Sequence, residues 1–327
     1  MRLSDFDYTL PKKLIAQHPV KPRDHSRLMI LDRVKKDFVH QKFFNCLDYF
    51  NPGDILVVNN SKVIPARLIG HKLTGGKIEI FLLQNIKDNL WECLVGGKKM
   101  KPTTIIEFDN DFKGKLIKKI SDQTWEIEFN KPNITSIGDT PLPPYITESS
   151  SPEDYQTVYA KTDGSVAAPT AGLHFTPELM KKIKAKGIEI FDVTLHVGLG
   201  TFAPVKTEKI SEHKIHKEYG ELSRETAVAI KEAKAKNKRV IAVGTTSVRT
   251  LEAFAGKEKK DWIDLFITPG YKFQIVDAML TNFHLPKSTL LMLVGAFAEK
   301  KYMEEAYQEA IKKEYRFYSF GDAMLIL

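Results

Sequence analysis

The sequence predicts an α/β multi-domain protein, a larger α/β domain with a small six-stranded β-barrel inserted near the N-terminus, and three observations predict it. Six short strand-like runs follow one another between residues 66 and 131. Helical and strand patterns alternate from residue 141 onward. A strand-like apolar run also stands ahead of the barrel, so the chain on either side of it is assigned to one layered domain. The expected division is 1–65 with 141–327 as the α/β catalytic domain, 66–131 as the inserted barrel and 132–140 as a connector, and two packed units suit 327 residues.

Taken in order, Leu56-Val57-Val58-Asn59-Asn60 reads as a core strand ending in a polar loop. The barrel strands are expected at 67–73, 77–83, 90–95, 103–108, 113–120 and 124–129. Gly75-Gly76, Gly96-Gly97 and Asp109-Asn110-Asp111 separate them, residues that accept the left-handed backbone of tight turns. Pro141-Leu142-Pro143-Pro144-Tyr145 is stiff, because each proline fixes its own φ and pushes its predecessor towards extended backbone. A helix opens at Thr176-Pro177-Glu178, with a capping hydroxyl, a proline in the first helical position and an early acid, and closes at Gly187. A strand over 188–197, a helix over 224–236, a strand over 240–243, a helix over 248–255 and a buried strand over 265–267 follow. The apolar run 290–298 is far short of the roughly 20 residues that span a bilayer and reads as a buried helix. An amphipathic helix over 302–313 and a core strand over 323–327 complete the pattern.

Composition narrows the function. The net charge of +8 makes a polyanionic partner worth considering, although many lysines, such as those of Lys181-Lys182-Ile183-Lys184-Ala185-Lys186, form ordinary solvated helix faces. Only Cys46 and Cys93 are present, outside any Cys-x-x-Cys pair, so neither a disulfide framework nor a cysteine zinc site is supported. Residues 1–8 lack the apolar run of a signal peptide, and a cytoplasmic protein without membrane association is expected.

Four segments bring polar groups or free backbone amides to strand ends, where open α/β sheets bind ligands. In Ala167-Ala168-Pro169-Thr170-Ala171-Gly172-Leu173-His174-Phe175, small residues including Gly172 let a ligand approach the backbone, and His174 stands just before a helix whose free amides suit a carboxylate or phosphate. The plain alternative is a tight turn with a capping histidine. In Val243-Gly244-Thr245-Thr246-Ser247-Val248-Arg249 a strand runs through small hydroxyl residues into a helix, an arrangement that can hold an anion with Arg249 adding charge, or simply cap the helix. Asn282, His284 and Lys287 cluster in a proline-containing loop before an apolar helix. Arg316-Phe317-Tyr318-Ser319-Phe320-Gly321-Asp322 offers aromatics that could stack on a base, or pack as core, ahead of Asp322. His174 and His284 are the candidate general bases because an ordinary imidazole titrates near 6.5, with Asp322 in reserve.

Other patterns fail their structural tests. Gly198-Leu199-Gly200-Thr201-Phe202-Ala203 matches a dinucleotide fingerprint, but Pro204-Val205-Lys206 does not continue as the required helix. His213 and His216 lack the glutamate spacing of a zinc hydrolase, so no metal site is expected.

Together these segments resemble the S-adenosylmethionine:tRNA ribosyltransferase-isomerase family of queuosine biosynthesis, nearly end to end. The resemblance also rests on Leu14-Ile15-Ala16-Gln17, Arg23-Asp24, Ser26-Arg27-Leu28, Val63-Ile64-Pro65-Ala66-Arg67-Leu68, Pro141-Leu142-Pro143-Pro144-Tyr145-Ile146 and Tyr155-Gln156-Thr157-Val158-Tyr159-Ala160. Asn59-Asn60-Ser61-Lys62-Val63 departs from a family pattern closer to Asn-Asp-Thr-Arg-Val, replacing an arginine fork with a lysine. The resemblance implies an α/β domain carrying a smaller barrel. It implies transfer and isomerisation of the ribosyl part of S-adenosylmethionine onto a 7-aminomethyl-7-deazaguanine at the tRNA wobble position, with adenine and methionine released. S-adenosylmethionine is then a co-substrate, no prosthetic group is required, and a monomer acting on tRNA is expected. Under this reading Gly172, Gly244, Thr245, Thr246, Ser247, Arg249 and Asn282 bind S-adenosylmethionine, and the base is His174, His284 or Asp322. The competing readings are a methyltransferase, which would release S-adenosylhomocysteine, and a non-catalytic RNA-binding protein, which would release nothing.

Overall fold

The computed structural model describes residues 1–97, 100–121, 124–198, 205 and 207–327. The chain divides into two compact units, Met1–Ser61 with Pro143–Thr162 and Ala168–Leu327, and Lys62–Leu142 with Asp163–Ala167. In chain order the strands are β1 (Arg27–Asp32), β2 (Asp37–Lys42), β3 (Ile55–Asn59), β4 (Ser61–Val63), β5 (Arg67–Lys72), β6 (Lys77–Lys87), β7 (Leu90–Gly96), β8 (Ile105–Glu107), β9 (Lys113–Lys119), β10 (Thr124–Phe129), β11 (Thr162–Ser165), β12 (Glu189–Leu195), β13 (Glu218–Leu222), β14 (Val240–Val243), β15 (Lys259–Ile263), β16 (Ala278–Asn282) and β17 (Ala323–Ile326). The α-helices are α1 (Pro177–Ala185), α2 (Arg224–Ala235), α3 (Gly244–Ala253), α4 (Thr289–Ala298) and α5 (Lys300–Lys312).

The larger unit is built on a nine-stranded sheet in the order β15-β13-β12-β3-β14-β16-β17-β1-β2. Its centre, β12-β3-β14-β16, is parallel, whereas β17 runs antiparallel to β16 and β1 runs parallel to β17. β3, β14 and β16 are buried along their whole length, as parallel strands covered on both faces must be, and β3 and β14 read as apolar runs, whereas β16 ends in Thr281 and Asn282 and does not. One face carries Val57, Ala242 and Met279 against Val248, Leu251, Leu291 and Tyr307 of α3, α4 and α5. The other carries Leu56, Val58, Ile241 and Leu280 against Phe43, Leu179 and Ile183. Thr176 caps α1 by accepting from the Leu179 amide at 3.2 Å, with Pro177 in the first helical turn as its sequence predicts.

In the smaller unit β5–β10 close into a barrel in the order β10-β7-β6-β5-β8-β9, while β4 and β11 pair separately. Alternate residues point inward, Ile78, Ile80 and Leu82 from β6 and Trp125, Ile127 and Phe129 from β10. Gly70 is required for packing, since a Cβ there would lie 2.7 Å from both Ile106 and Phe108.

Several sequence expectations shift. Residues 265–267 form no strand; the strand is β15, an edge strand whose first four residues are exposed and so carry no apolar signature. α3 begins at Gly244 instead of 248, so Thr245, Thr246 and Ser247 occupy its first turn and are not a loop before it. Residues 170–174 form a short 3-10 turn, and Thr281 and Asn282 end β16 instead of sitting in a loop. β1, β2, β4, β11, β13, β15 and β16 escaped the sequence pattern. Cys46 and Cys93 are buried and unpaired, and among the described residues no helix is long and apolar enough to cross a membrane.

Candidate active site

The topology brings the predicted site residues to one edge of the nine-stranded sheet. The parallel strands β3, β12, β14 and β16 end there at Asn59, Leu195, Val243 and Asn282. Because β17 runs antiparallel to β16, pairing Asn282 with Ala323, and β1 runs parallel to β17, pairing Leu28 with Ala323, these two strands start at that same edge. Ser26, Arg27 and Asp322 therefore join the carboxyl ends of the central strands, the usual place for ligands in an open α/β sheet. A larger groove of about 580 Å³ lies at the amino ends, beside Gly53, Ile55, Glu189 and α2, with none of the candidate residues on it.

His174 is buried and both ring nitrogens are engaged. Nδ1 lies 2.7 Å from the Ser26 hydroxyl, Nε2 accepts from the Asn282 amide at 3.1 Å, and the ring stacks on Phe43 with centroids 4.8 Å apart. Asn282 Oδ1 accepts from Thr170, and its amide nitrogen also faces the Asp322 carbonyl at 3.5 Å, which fixes the amide with its donors towards His174. The imidazole is thus the neutral tautomer with its proton on Nδ1. Burial, reinforced by the guanidiniums of Arg316 and Arg23, pushes its pKa down to about 3. The premise of an imidazole titrating near neutrality does not hold here, nor at His284, which burial also pushes down to about 3.

His284 is tied into the core. Its Nε2 lies 2.8 Å from Thr281 Oγ1, its amide donates to the Tyr307 hydroxyl at 2.9 Å, and its carbonyl accepts from Tyr8. Lys287 pairs with Asp7 at 2.6 Å. Asp322 is buried with one carboxylate oxygen accepting from the Arg27 amide at 2.9 Å and the other from the Arg316 amide at 2.8 Å. Desolvation raises its pKa against those hydrogen bonds. The aromatic run beside it is largely core, Phe317 packing on Phe283, Tyr8 and Tyr307.

At the start of α3, Gly244 has φ +84°, the left-handed backbone that glycine accepts without strain, and lets the chain turn from β14 straight into the helix. The Ser247 hydroxyl donates back to the Val243 carbonyl at 2.8 Å. The Thr246 hydroxyl is buried without a partner. Arg249, one turn on, pairs through Nη1 with buried Glu218, while its Nη2 is buried without a partner. Gly172 is needed for a contact within the chain, since a Cβ would lie 1.9 Å from the Tyr159 hydroxyl.

Beside His174 opens a small cleft of about 10 Å³, room for about one water molecule, bordered by Arg23, Ser26, Arg316, Ser319 and Gly321. In the sequence Arg23 and Ser26 appear only within longer motifs; no local pattern announces that they face residues 316–321. Among the described residues no group of three histidine, cysteine or acidic side chains could hold a metal ion. The Gly198–Ala203 segment falls outside the described residues except for Gly198.

Comparison with known proteins adds the following. A family model described as "Queuosine biosynthesis protein" matches residues 3–326. Proteins named S-adenosylmethionine:tRNA ribosyltransferase-isomerase are similar over the full length of both chains, with 51% identity in Thermotoga petrophila and 49% in Aquifex aeolicus. A crystal structure described as S-adenosylmethionine tRNA ribosyltransferase from Thermotoga maritima superposes with a TM-score of 0.58 at 41% identity, covering 99% of this chain and 100% of that one.

Proposed function

This chain belongs to the queuosine biosynthesis protein family, and on that premise we propose that it is an S-adenosylmethionine:tRNA ribosyltransferase-isomerase. It moves the ribosyl part of S-adenosylmethionine onto the aminomethyl nitrogen of 7-aminomethyl-7-deazaguanine at the tRNA wobble position. Adenine and methionine leave and epoxyqueuosine tRNA is formed. The observation that carries this reading is similarity at about half identity over the whole chain, which includes every segment of the sheet edge described above. Mass spectrometry of digested precursor tRNA after incubation with S-adenosylmethionine tests it. Formation of epoxyqueuosine with free adenine is expected; a methylated nucleoside with S-adenosylhomocysteine would make the chain a methyltransferase, and tRNA binding without product a binding protein.

The reaction needs an anchor for the methionine carboxylate, donors for departing adenine and a base for the proton beside the sulfonium. The first turn of α3, Gly244 to Ser247, is assigned to the carboxylate. Its free amides favour negative charge, and the orphaned Thr246 hydroxyl and Arg249 Nη2 are buried donors three residues apart on one helix face. Of the three candidate bases proton removal is assigned to His174: Ser26 holds its proton on Nδ1, and its one lone pair, on Nε2, becomes available when substrate takes the place of the Asn282 amide. Asp322 holds the backbone at Arg27 and Arg316, and His284 ties the end of β16 to α5.

A further inference from the structure

We propose that the cleft between Arg23 and Arg316, above Ser26, is an oxyanion subsite that takes a phosphodiester of the RNA substrate. The proposal rests on the transferase reading for the identity of its ligand, but its geometry stands on the chain alone. Both guanidiniums make their hydrogen bonds to neutral carbonyls. Arg23 donates to the carbonyls of Gln156 and Glu153, and Arg316 donates to those of His18 at 3.0 Å and Phe320 at 2.9 Å. Carbonyls orient a guanidinium without cancelling its charge. Asp154 and Asp322 each stand 3.9 Å from one of them, within ion-pair but beyond hydrogen-bond range, and offset part of the charge; Asp154 is shared with Lys21, and both oxygens of Asp322 already accept backbone amides. Two positive, preorganised forks thus border one small opening.

The floor supplies a matching donor. With the His174 proton on Nδ1, the Ser26 oxygen accepts from the ring at 2.7 Å, which leaves the Ser26 proton to donate to a ligand. Ser319, on the opposite wall, shares its hydroxyl with Tyr145 at 2.7 Å. Gly321 holds the wall's turn, because a Cβ there would lie 2.5 Å from the Phe317 backbone. The opening has room for about one water-sized group, about 10 Å³, so it takes a single oxygen of the anion and leaves the rest of the phosphodiester outside.

The test measures binding by the full chain without turnover, for precursor tRNA between 50 and 200 mM salt and for S-adenosylmethionine, with thermal unfolding as a control on each variant. Arg316→Gln is expected to weaken tRNA binding about tenfold at low salt and to reduce the log–log salt slope by about 0.7–0.9, the loss of one phosphate contact. Arg316→Lys should restore most of that slope, which a merely structural loss would not allow. Ser26→Ala, which removes no backbone contact, should weaken binding several-fold at unchanged slope. A tenfold loss of S-adenosylmethionine affinity with tRNA binding untouched would overturn the assignment to RNA. Unchanged affinity for both ligands in Ser26→Ala, and in Arg316→Gln if it melts like wild type, overturns the proposal. Product formation by the unaltered chain tests the transferase reading separately, so the two can fail independently.

Discussion

Two imidazoles, His174 and His284, are held neutral by burial, with pKa values near 3 against about 6.5 in an unfolded chain. Between those values the unfolded chain binds protons that the folded chain refuses. Their contribution to stability is therefore full above about pH 6.5 and is lost as pH falls towards 3, by up to about 1.4 kcal/mol per pH unit for each ring. Thermal unfolding measured from pH 7.5 to 4.5 should show this decline, and His284→Phe should make it shallower; an unchanged slope would mean that His284 is protonated in the fold. Catalysis should behave differently. A base that is neutral throughout this range gives single-turnover adenine release that is flat from pH 6 to 8. His174→Ala should lower that rate about 10²–10⁴-fold with both substrates still bound. Release at near-normal rates in this variant would remove His174 from the chemistry.

The junction between β14 and α3 shows what an element contributes beyond its residues. With Gly244 at φ +84°, Gly244→Ala should destabilise the protein by about 1 kcal/mol or more through strain, since the nearest atoms to an added Cβ are at an unforced 3.5 and 3.6 Å. Thr246→Val, nearly isosteric, should leave melting alone and raise the Michaelis constant for S-adenosylmethionine more than that for tRNA; the reverse order would move the carboxylate anchor elsewhere. Much of this architecture is legible in the sequence. The barrel strands alternate and are separated by glycine or Asn/Asp turns, and the buried parallel strands 56–58 and 240–243 read as apolar runs. The edge strands β2 and β15 were missed because they bury little, as the exposed Lys259, Lys260, Asp261 and Trp262 of β15 show, whereas the buried β1 and β16 were missed because their apolar stretches, Leu28–Leu31 and Ala278–Leu280, are short. The cleft was missed because its walls lie far apart in the sequence: Arg23 and Ser26 meet Arg316 and Ser319 only once β1 lies beside β17. That pairing is non-local, and no local period encodes it.

For the whole molecule the net charge of +8 predicts tRNA affinity that falls with salt, each neutralised phosphate adding about 0.7–0.9 to the slope. Lys98, Lys99 and Lys101, which the sequence places between two expected barrel strands, are expected contributors; the first two lie outside the described residues, and Lys101 is exposed. A triple alanine variant with an unchanged salt slope would exclude that segment. The pairing of β1 with β17 has a consequence in time. Synthesis runs from the N-terminus, so Arg23 and Ser26 emerge early and wait for their opposite wall until residues 316–326 have been made. The barrel, whose strands all fall between residues 67 and 129, can assemble long before that. A chain still on the ribosome can therefore own a finished barrel and most of a sheet while its cleft has only one side. Activity should switch on late and all at once, when the closing strand docks.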